Sequence, residues 1–493
     1  MIRKTVSLVA LASLAACSMA PKYVRPELPV PPSWPVGDAY LKQSEITLPS
    51  VSYRDIFRDP RLQRLVEQAL VNNRDLRIAA ANIATARAQY GIQRAALLPE
   101  VDGGLSFSHR DNGTSGVSSG STGGSTSGGT TTSGSGVRDT YSASLGLTAF
   151  EIDLFGRVRS LTTAAQNSYF ATEAAARATR LTLVGDIASA WLNYASDQSL
   201  LKIARDTAAS AQRSVTLTKA RLDGGIAPRT DLDQAQIVQQ TALSDLATQT
   251  TAVAQDINAL QLLVGAPVDP TLLASSIEEA APTIAELPAG LDSGILLRRP
   301  DVVQAEYTLR AANAQIGAAR AALFPRISLT ALAGLASTSL SNLFTGGAFN
   351  YSVAPSVSYP MFRAGAGRAG VAQSQAQRDS ALASYEKSIQ TAFSEVADAL
   401  ARHGTIGNQL AAQEALTKSA GDNYRLSDAR YRGGIDTFLQ SLDAQRSFYS
   451  AQRSLVTTRL TDATNRVTLY RALGGDAALD VTPAGPQPLA PQR

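Results

Sequence analysis

One cysteine, Cys17, and two histidines, His109 and His403, stand in 493 residues. A single cysteine excludes an internal disulfide. So few soft ligands assemble no zinc site and no Cys–His nucleophile. Charged residues make up 17% of the chain and aromatics 6%, both low for a globular protein. Of the 45 basic residues, Arg3 and Lys4 lie in a leader expected to be removed, which leaves 43 against 41 acidic. A balance so near neutrality does not indicate a nucleic-acid partner. No apolar run is long enough to span a bilayer as a helix, because residues 6–16 stop short of the required length. No phosphate-binding glycine loop and no catalytic triad is suggested. The expectation is a protein that is not an enzyme and has no cofactor or metal.

What is present begins with the leader. Arg3 and Lys4 form a positive start, an apolar run follows, and Leu14-Ala15-Ala16-Cys17 has the form of a bacterial lipobox. That chemistry needs small residues before a cysteine whose thiol takes a diacylglyceryl group. Cleavage then frees an amine for a further acyl chain. Cys17 is therefore the expected lipidation site, with residues 1–16 as the signal peptide. Ser18 follows it, which suits sorting to the outer membrane, where acyl chains give a firm anchor. An ordinary secretory leader with an incidental cysteine is the plainer alternative. Residues 17–53 are rich in proline and read as an extended, lipid-anchored strap without a core of its own.

The remainder repeats. Leu97-Leu98-Pro99 matches Leu323-Phe324-Pro325, and Asp75 matches Asp301, at an offset of 226. Gly225 and Gly265 match Gly434 and Gly474 at an offset of 209. The difference falls on extra residues in the first half, where 111–136 are almost entirely Ser, Thr and Gly. Each half opens on a heptad stripe: Leu76, Ala79, Ile83, Ala86, Tyr90, Gln93, Leu97, and then Val302, Ala305, Leu309, Ala312, Ile316, Ala319, Leu323.

Past each proline the period changes to two. Val101, Leu105 and Phe107 alternate with Asp102, Ser106 and Ser108. Tyr351, Val353, Pro355, Val357 and Tyr359 alternate with Ser352, Ala354, Ser356 and Ser358. Apolar-out, polar-in alternation with aromatics at the ends fits an outer-membrane barrel. A soluble sandwich strand with one wet face is the alternative. Residues 157–222 then contain no proline and one glycine, Gly185, enough for roughly 100 Å of helix. Residues 366–432 are similar. Each tract ends at a Gly-Gly pair suited to a left-handed cap, and a second helix returns. Four strands do not close a barrel around a pore, since single-chain barrels use at least about eight, so oligomerisation is required.

The segments LRRPDVVQAEYTLRAANAQIGAARAALFPRISL (297–329), SLSNLF (339–344), YPMFRAGAGRAG (359–370) and ARYRGGIDTFLQSLDAQRSFYSAQ (429–452) carry a resemblance, with FEIDLFGRVRS (150–160) and ARLDGGIAPRTDLDQAQ (220–236) as first-half counterparts. They resemble the TolC family of outer-membrane efflux channels, specifically its NodT/OprM-type lipoproteins. The resemblance runs from the lipobox to Gly474. It implies a homotrimer with a twelve-stranded transmembrane β-barrel continued by a long α-helical periplasmic barrel. It also implies a periplasmic membrane-fusion adaptor and an inner-membrane pump of the resistance-nodulation-division type as partners. The location expected is the outer membrane, in contact with its lipid, with the helices projecting into the periplasm.

The expected plan is helices at 54–98, a hairpin at 99–150, a helical hairpin at 151–265 and a linker at 266–297. The second set is a helix at 298–324, a hairpin at 325–360 and a helical hairpin at 361–474, before a disordered tail at 475–493. The resemblance also implies roles. Leu439 matches an apolar gate position, Asp443 a gate carboxylate and Arg446 its basic partner. Tyr431 and Asp231 match a tyrosine–aspartate lock between neighbouring coils. Gln440 and Asp436 depart from the archetype where a second gate aspartate and a lock arginine stand. Gly224, Gly225, Arg432, Gly433 and Gly434 are the candidates for adaptor contact. For each charged residue, a solvated helix face is the plainer reading. The function expected is a passive, gated exit duct for efflux. A type I protein-secretion duct and a non-pore structural lipoprotein are the alternatives.

Overall fold

The computed structural model describes residues 19–31, 33–35, 52–111, 137–286 and 293–488. In chain order the elements are α1 (Tyr53–Ile56), α2 (Pro60–Asn72), α3 (Arg74–Ala95), β1 (Val101–Asp111), β2 (Val137–Glu151), α4 (Arg157–Asp223), α5 (Arg229–Val264), α6 (Ile277–Ala280), α7 (Pro300–Ala321), β3 (Arg326–Ser337), β4 (Phe349–Ser358), α8 (Ala366–Arg432), α9 (Phe438–Ala472), β5 (Leu479–Thr482) and β6 (Gly485–Pro488). The order helix, hairpin, long helix, returning helix occurs twice, in α3–β1–β2–α4–α5 and in α7–β3–β4–α8–α9. α4 and α8 are each 67 residues long, about 100 Å at 1.5 Å per residue. No helix of the described residues is long and apolar enough to cross a membrane.

The chain divides into two compact units. The first holds Arg87–Gln166 and Arg310–Asp379, with the described residues up to Tyr23. Its core feature is a four-stranded antiparallel sheet in the order β1-β2-β3-β4. Register puts Phe107 opposite Tyr141, with ring centroids 4.9 Å apart. It sets Leu145 opposite Ala333, and Ala333 opposite Tyr351, so one face is apolar. The other face is joined by hydroxyl pairs, Ser106–Ser142 and Ser328–Ser356, each at 2.7 Å. A bulge in β2 between Leu147 and Phe150 shifts the register, and Ala149 there has a φ of 45°. The extra residue returns Phe150 to the apolar face opposite Leu329. Leu332, which breaks the alternation, stands on the polar face between Gly146 and Ser352. Among the described residues no strand lies beyond β1 or β4, so both sheet edges are open there.

The second unit holds Val24–Ala86, Asn167–Leu309 and the chain from Ser380. Its large buried side chains include Trp191, Tyr307, Tyr385 and Tyr470. Trp191 donates its indole N–H to the Leu272 carbonyl at 3.0 Å, and Tyr470 packs edge-on against Phe57 at 5.5 Å. The segment after α5 is fastened by ion pairs. Arg459 meets Glu278 at 2.8 Å, and Arg466 meets Glu286 at 3.2 Å. Arg299, almost wholly buried, reaches Asp301, Glu395 and the Ala472 carbonyl. A buried guanidinium is tolerable only when its fork is filled in this way.

One expectation is corrected here. The tail from 475 was expected to be disordered, but β5 and β6 pair as a hairpin between Leu479 and Pro488. Leu479 is fully buried beside Phe170, Val303 and Tyr307. The Tyr307 hydroxyl donates to the Thr482 carbonyl at 2.8 Å. A Pro/Ala-rich stretch has little local preference for order. Its alternate apolar residues, Leu479 and Val481, are held by residues far away in sequence. The leader, Cys17 and residues 112–136 of the Ser/Gly segment lie outside the described residues.

Candidate functional site

The candidate site lies in the second unit, where α4 and α8 end and α5 and α9 begin. Gly225 and Gly434 have φ of 70° and 75°, the left-handed region in which a Cβ is strained. The two turns close with the same bonds. The Ile226 N–H reaches the Arg221 carbonyl at 2.8 Å and that of Gly225 reaches Leu222 at 2.9 Å. In the second turn, Ile435 reaches Arg430 at 2.9 Å and Gly434 reaches Tyr431 at 3.0 Å. This is the Schellman pattern of helix termination, made twice at the 209-residue offset. It leaves Ile226 and Ile435 exposed. Gly224, Gly433 and Arg432 are exposed as well, and Arg432 pairs back to Asp428 at 2.9 Å.

Among the described residues of the single chain, no hydrogen bond joins Tyr431 and Asp231. Tyr431 is buried with Phe438, Leu442 and Ala235, and its hydroxyl lies 3.3 Å from that of Thr218 on α4. The residue that couples the two turns is one the sequence reading missed, Arg221. Its Nη2 donates at 3.0 Å to the carbonyls of Tyr431 and of Arg432. Its guanidinium also lies over the Tyr431 ring, 4.4 Å from the centroid. Its counterpart at the offset is Arg430, which grips Asp436 across its own turn at 2.5 and 3.0 Å. That bond holds the Asp436 carboxyl below its usual range. In the first turn the position of Asp436 is taken by Ala227. Arg221 has no acid across its own turn and reaches the neighbouring helix. Comparing the turns at the offset would have revealed this.

Leu439, Asp443 and Arg446 fall at intervals of four and three on α9, and all three are exposed on one face. The adjoining face, about 100° round the helix, carries Phe438, Leu442 and Gln445, which are buried. Asp443 and Arg446 make no ion pair with each other among the described residues. Further along, cross-helix bonds continue the joint. Ser210 meets Tyr424 at 2.9 Å, Gln239 donates to Gln212, and Tyr449 donates to Asp245 at 2.8 Å. Burial and the Asp245 charge push the Tyr449 hydroxyl up to about 12, so it stays a donor.

One pair works against this joint at neutral pH. Asp197 on α4 interacts with Asp256 on α5, and among the described residues no cation offsets either charge. Burial first, then the Asp197 charge, pushes Asp256 up to about 7. The folded-state value lies above the unfolded one, so the proton is held by the folded form. Its stabilisation is complete below about pH 4 and is lost as pH rises through about 7. Both side chains are partly solvated, which reduces a ceiling of about 4 kcal/mol to an effect on the order of 1–2 kcal/mol. Asp256→Asn is expected to raise stability by that amount at pH 8 and to change little at pH 4. Chemical denaturation at the two pH values reads this, and equal gains at both would refute it.

The family model described as outer membrane efflux protein matches residues 65–266 and 292–475. The probable efflux pump outer membrane protein TtgC of Pseudomonas putida is 44% identical over 94% of this chain and 93% of its own. Among solved structures, a membrane protein from Pseudomonas aeruginosa superposes with a TM-score of 0.83 at 38% identity, covering 93% of this chain and all 100% of the other. The open state of the Neisseria gonorrhoeae MtrE outer membrane channel does so with a TM-score of 0.80 at 33% identity, covering 93% of this chain and 98% of the other.

Proposed function

The chain belongs to the outer membrane efflux protein family, and from that premise we propose that it is the outer-membrane exit duct of a tripartite efflux pump. The observation that carries the reading is the four-stranded sheet, apolar on one face and open at both edges. An open edge in lipid leaves its N–H and C=O groups unsatisfied, so the strands need closure. Three copies joined edge to edge give twelve strands and no free edge. The apolar face meets lipid and the hydroxyl-lined face meets the bore. Acyl chains on Cys17 anchor the start of each chain to the same membrane.

α4, α5, α8 and α9 then continue the wall into the periplasm. The duct is passive: a periplasmic adaptor and an inner-membrane pump supply the opening and the energy. The adaptor meets the two Gly-Gly turns. On the exposed face of α9, Leu439 of three copies forms an apolar ring that narrows the bore. Asp443 forms a carboxylate ring that favours cations. Arg446, three residues on, offsets that charge in a closed ring. In place of a Tyr431–Asp231 lock, Arg221 and Thr218 hold Tyr431.

Conductance of the purified trimer in planar bilayers tests the reading. The native channel is expected to conduct weakly, and Leu439→Ala/Asp443→Ala to conduct severalfold more with a weaker preference for cations. Absence of conductance from both proteins would exclude a gated duct.

A further inference from the structure

The proline-rich strap is laid along α7. In the first unit, Arg320 donates to the Met19 carbonyl at 3.3 Å, and Asn313 donates to that of Pro21 at 2.8 Å. The Arg310 guanidinium lies over the Tyr23 ring at 4.6 Å. Between these, the strap backbone passes directly over Gly317. A Cβ built on Gly317 would stand 2.7 Å from the Ala20 nitrogen and 2.8 Å from its Cα. Only a residue without a side chain admits the strap there. In the second unit, Arg25 grips Glu306 with both nitrogens of its fork, at 3.1 and 2.7 Å. The Glu306 side chain is 1% exposed, whereas that of Arg25 is 40% exposed. Glu306 is buried on α7, and the strap's Arg25 pairs with it.

The contacted helix residues, 320, 317, 313, 310 and 306, recur at intervals of three and four. They form one seam of the helix, and the strap meets it in antiparallel order. We propose that this seam is a clip, with Gly317 as its notch and Glu306 as its latch, and that it fixes the lipid-anchored start of the chain on the last turns of α7. The position argument rests on the reading of Cys17 as acylated. Cys17 is two positions before Met19, so no more than about 7 Å of chain joins the acylated residue to the clipped backbone. α7 ends at Ala321 and β3 begins at Arg326. The clip therefore holds the anchor beside the point where the second hairpin starts. Prolines 21, 26, 29 and 31 reduce the freedom the strap gives up on docking.

The bond after Lys22 reports seating, because trypsin needs the backbone lifted off its support. The full-length trimer in detergent is expected to resist cleavage there. Gly317→Val is expected to be cut at least tenfold faster. Arg25→Ala is expected to be cut faster and to melt earlier, since it removes a two-pronged ion pair from a buried carboxylate. Arg25→Ala/Glu306→Gln separates a loosened strap from a damaged fold. It is expected to recover the melting temperature while remaining cut fast at Lys22. Native-like cleavage in Gly317→Val and in the double variant would overturn the clip. The mass of the released N-terminal peptide reports acylation independently. An unmodified peptide would sink the anchor reading while leaving the clip measurement intact.

Discussion

Arg221→Ala is expected to raise the open-to-closed ratio of the reconstituted channel by roughly 100-fold. The side chain makes two charge-assisted hydrogen bonds to carbonyls at the end of α8 and covers the Tyr431 ring. Such bonds are worth about 1.5–3 kcal/mol each when shielded, and the ring contact adds about 1 kcal/mol. Arg221 is half-buried, so solvent competes for its fork. A net value of about 1 kcal/mol per chain, or about 3 kcal/mol over three chains that open together, is the reasonable sum. Opening by separation of the α4 and α8 ends forfeits that energy, and the alanine variant has none to forfeit. Tyr431→Phe should have a much smaller effect. It removes only the longer contact with Thr218 at 3.3 Å and keeps the ring beneath the guanidinium. Arg221→Lys should fall between, because an ammonium lacks the fork. Open probability in planar bilayers reads all three. An alanine variant that gates like the native channel would show that the joint lies outside the gate.

How far the residues themselves announced this arrangement depends on the range of each effect. Alternation around Tyr351, Val353 and Val357 and the uninterrupted tracts before Gly224 and Gly433 are local patterns. They were legible because strand and helix periods are short. The left-handed caps were legible for the same reason, since glycine permits a positive φ wherever it stands. The partner of Tyr431 was not. Asp231 was assigned by resemblance; within the single chain Tyr431 meets Thr218 and Arg221, and Ala227 stands where the second turn has Asp436. The hairpin at 479–488 was missed because its order comes from Phe170 and Tyr307, far back in the chain. The Asp197–Asp256 contact links positions on two helices, and no spacing within either helix discloses it. The strap's seat on Gly317 was hidden too. A glycine within a heptad stripe reads as a weak helix position until the chain that crosses it is known.

Gly334→Val is expected to cost about 3 kcal/mol, at the upper end of overpacking effects, and to deplete the assembled trimer in the outer membrane. Gly334 lies on β3 opposite Ser144 of β2 and Asn350 of β4. A Cβ there would fall 2.5 Å from the Ala143 carbonyl oxygen and 2.8 Å from the Cα and Cβ of Ser144. The obstacles are backbone atoms, so no rotamer relieves them. β2 must move away, which breaks ladder bonds between the two middle strands of the sheet. In lipid the freed N–H and C=O groups find no water, so the loss is steeper than in a soluble sheet. Gly146→Ala is the control. That glycine lies on the same face, and its nearest neighbour would be the Ala331 carbonyl oxygen at 3.9 Å, an ordinary contact. The amount of detergent-resistant trimer in outer-membrane fractions, with its melting temperature, compares the two. Equal yields and equal melting would mean that β2 and β3 do not pair as closely in the membrane as they do here. The twelve-strand closure would then need another register.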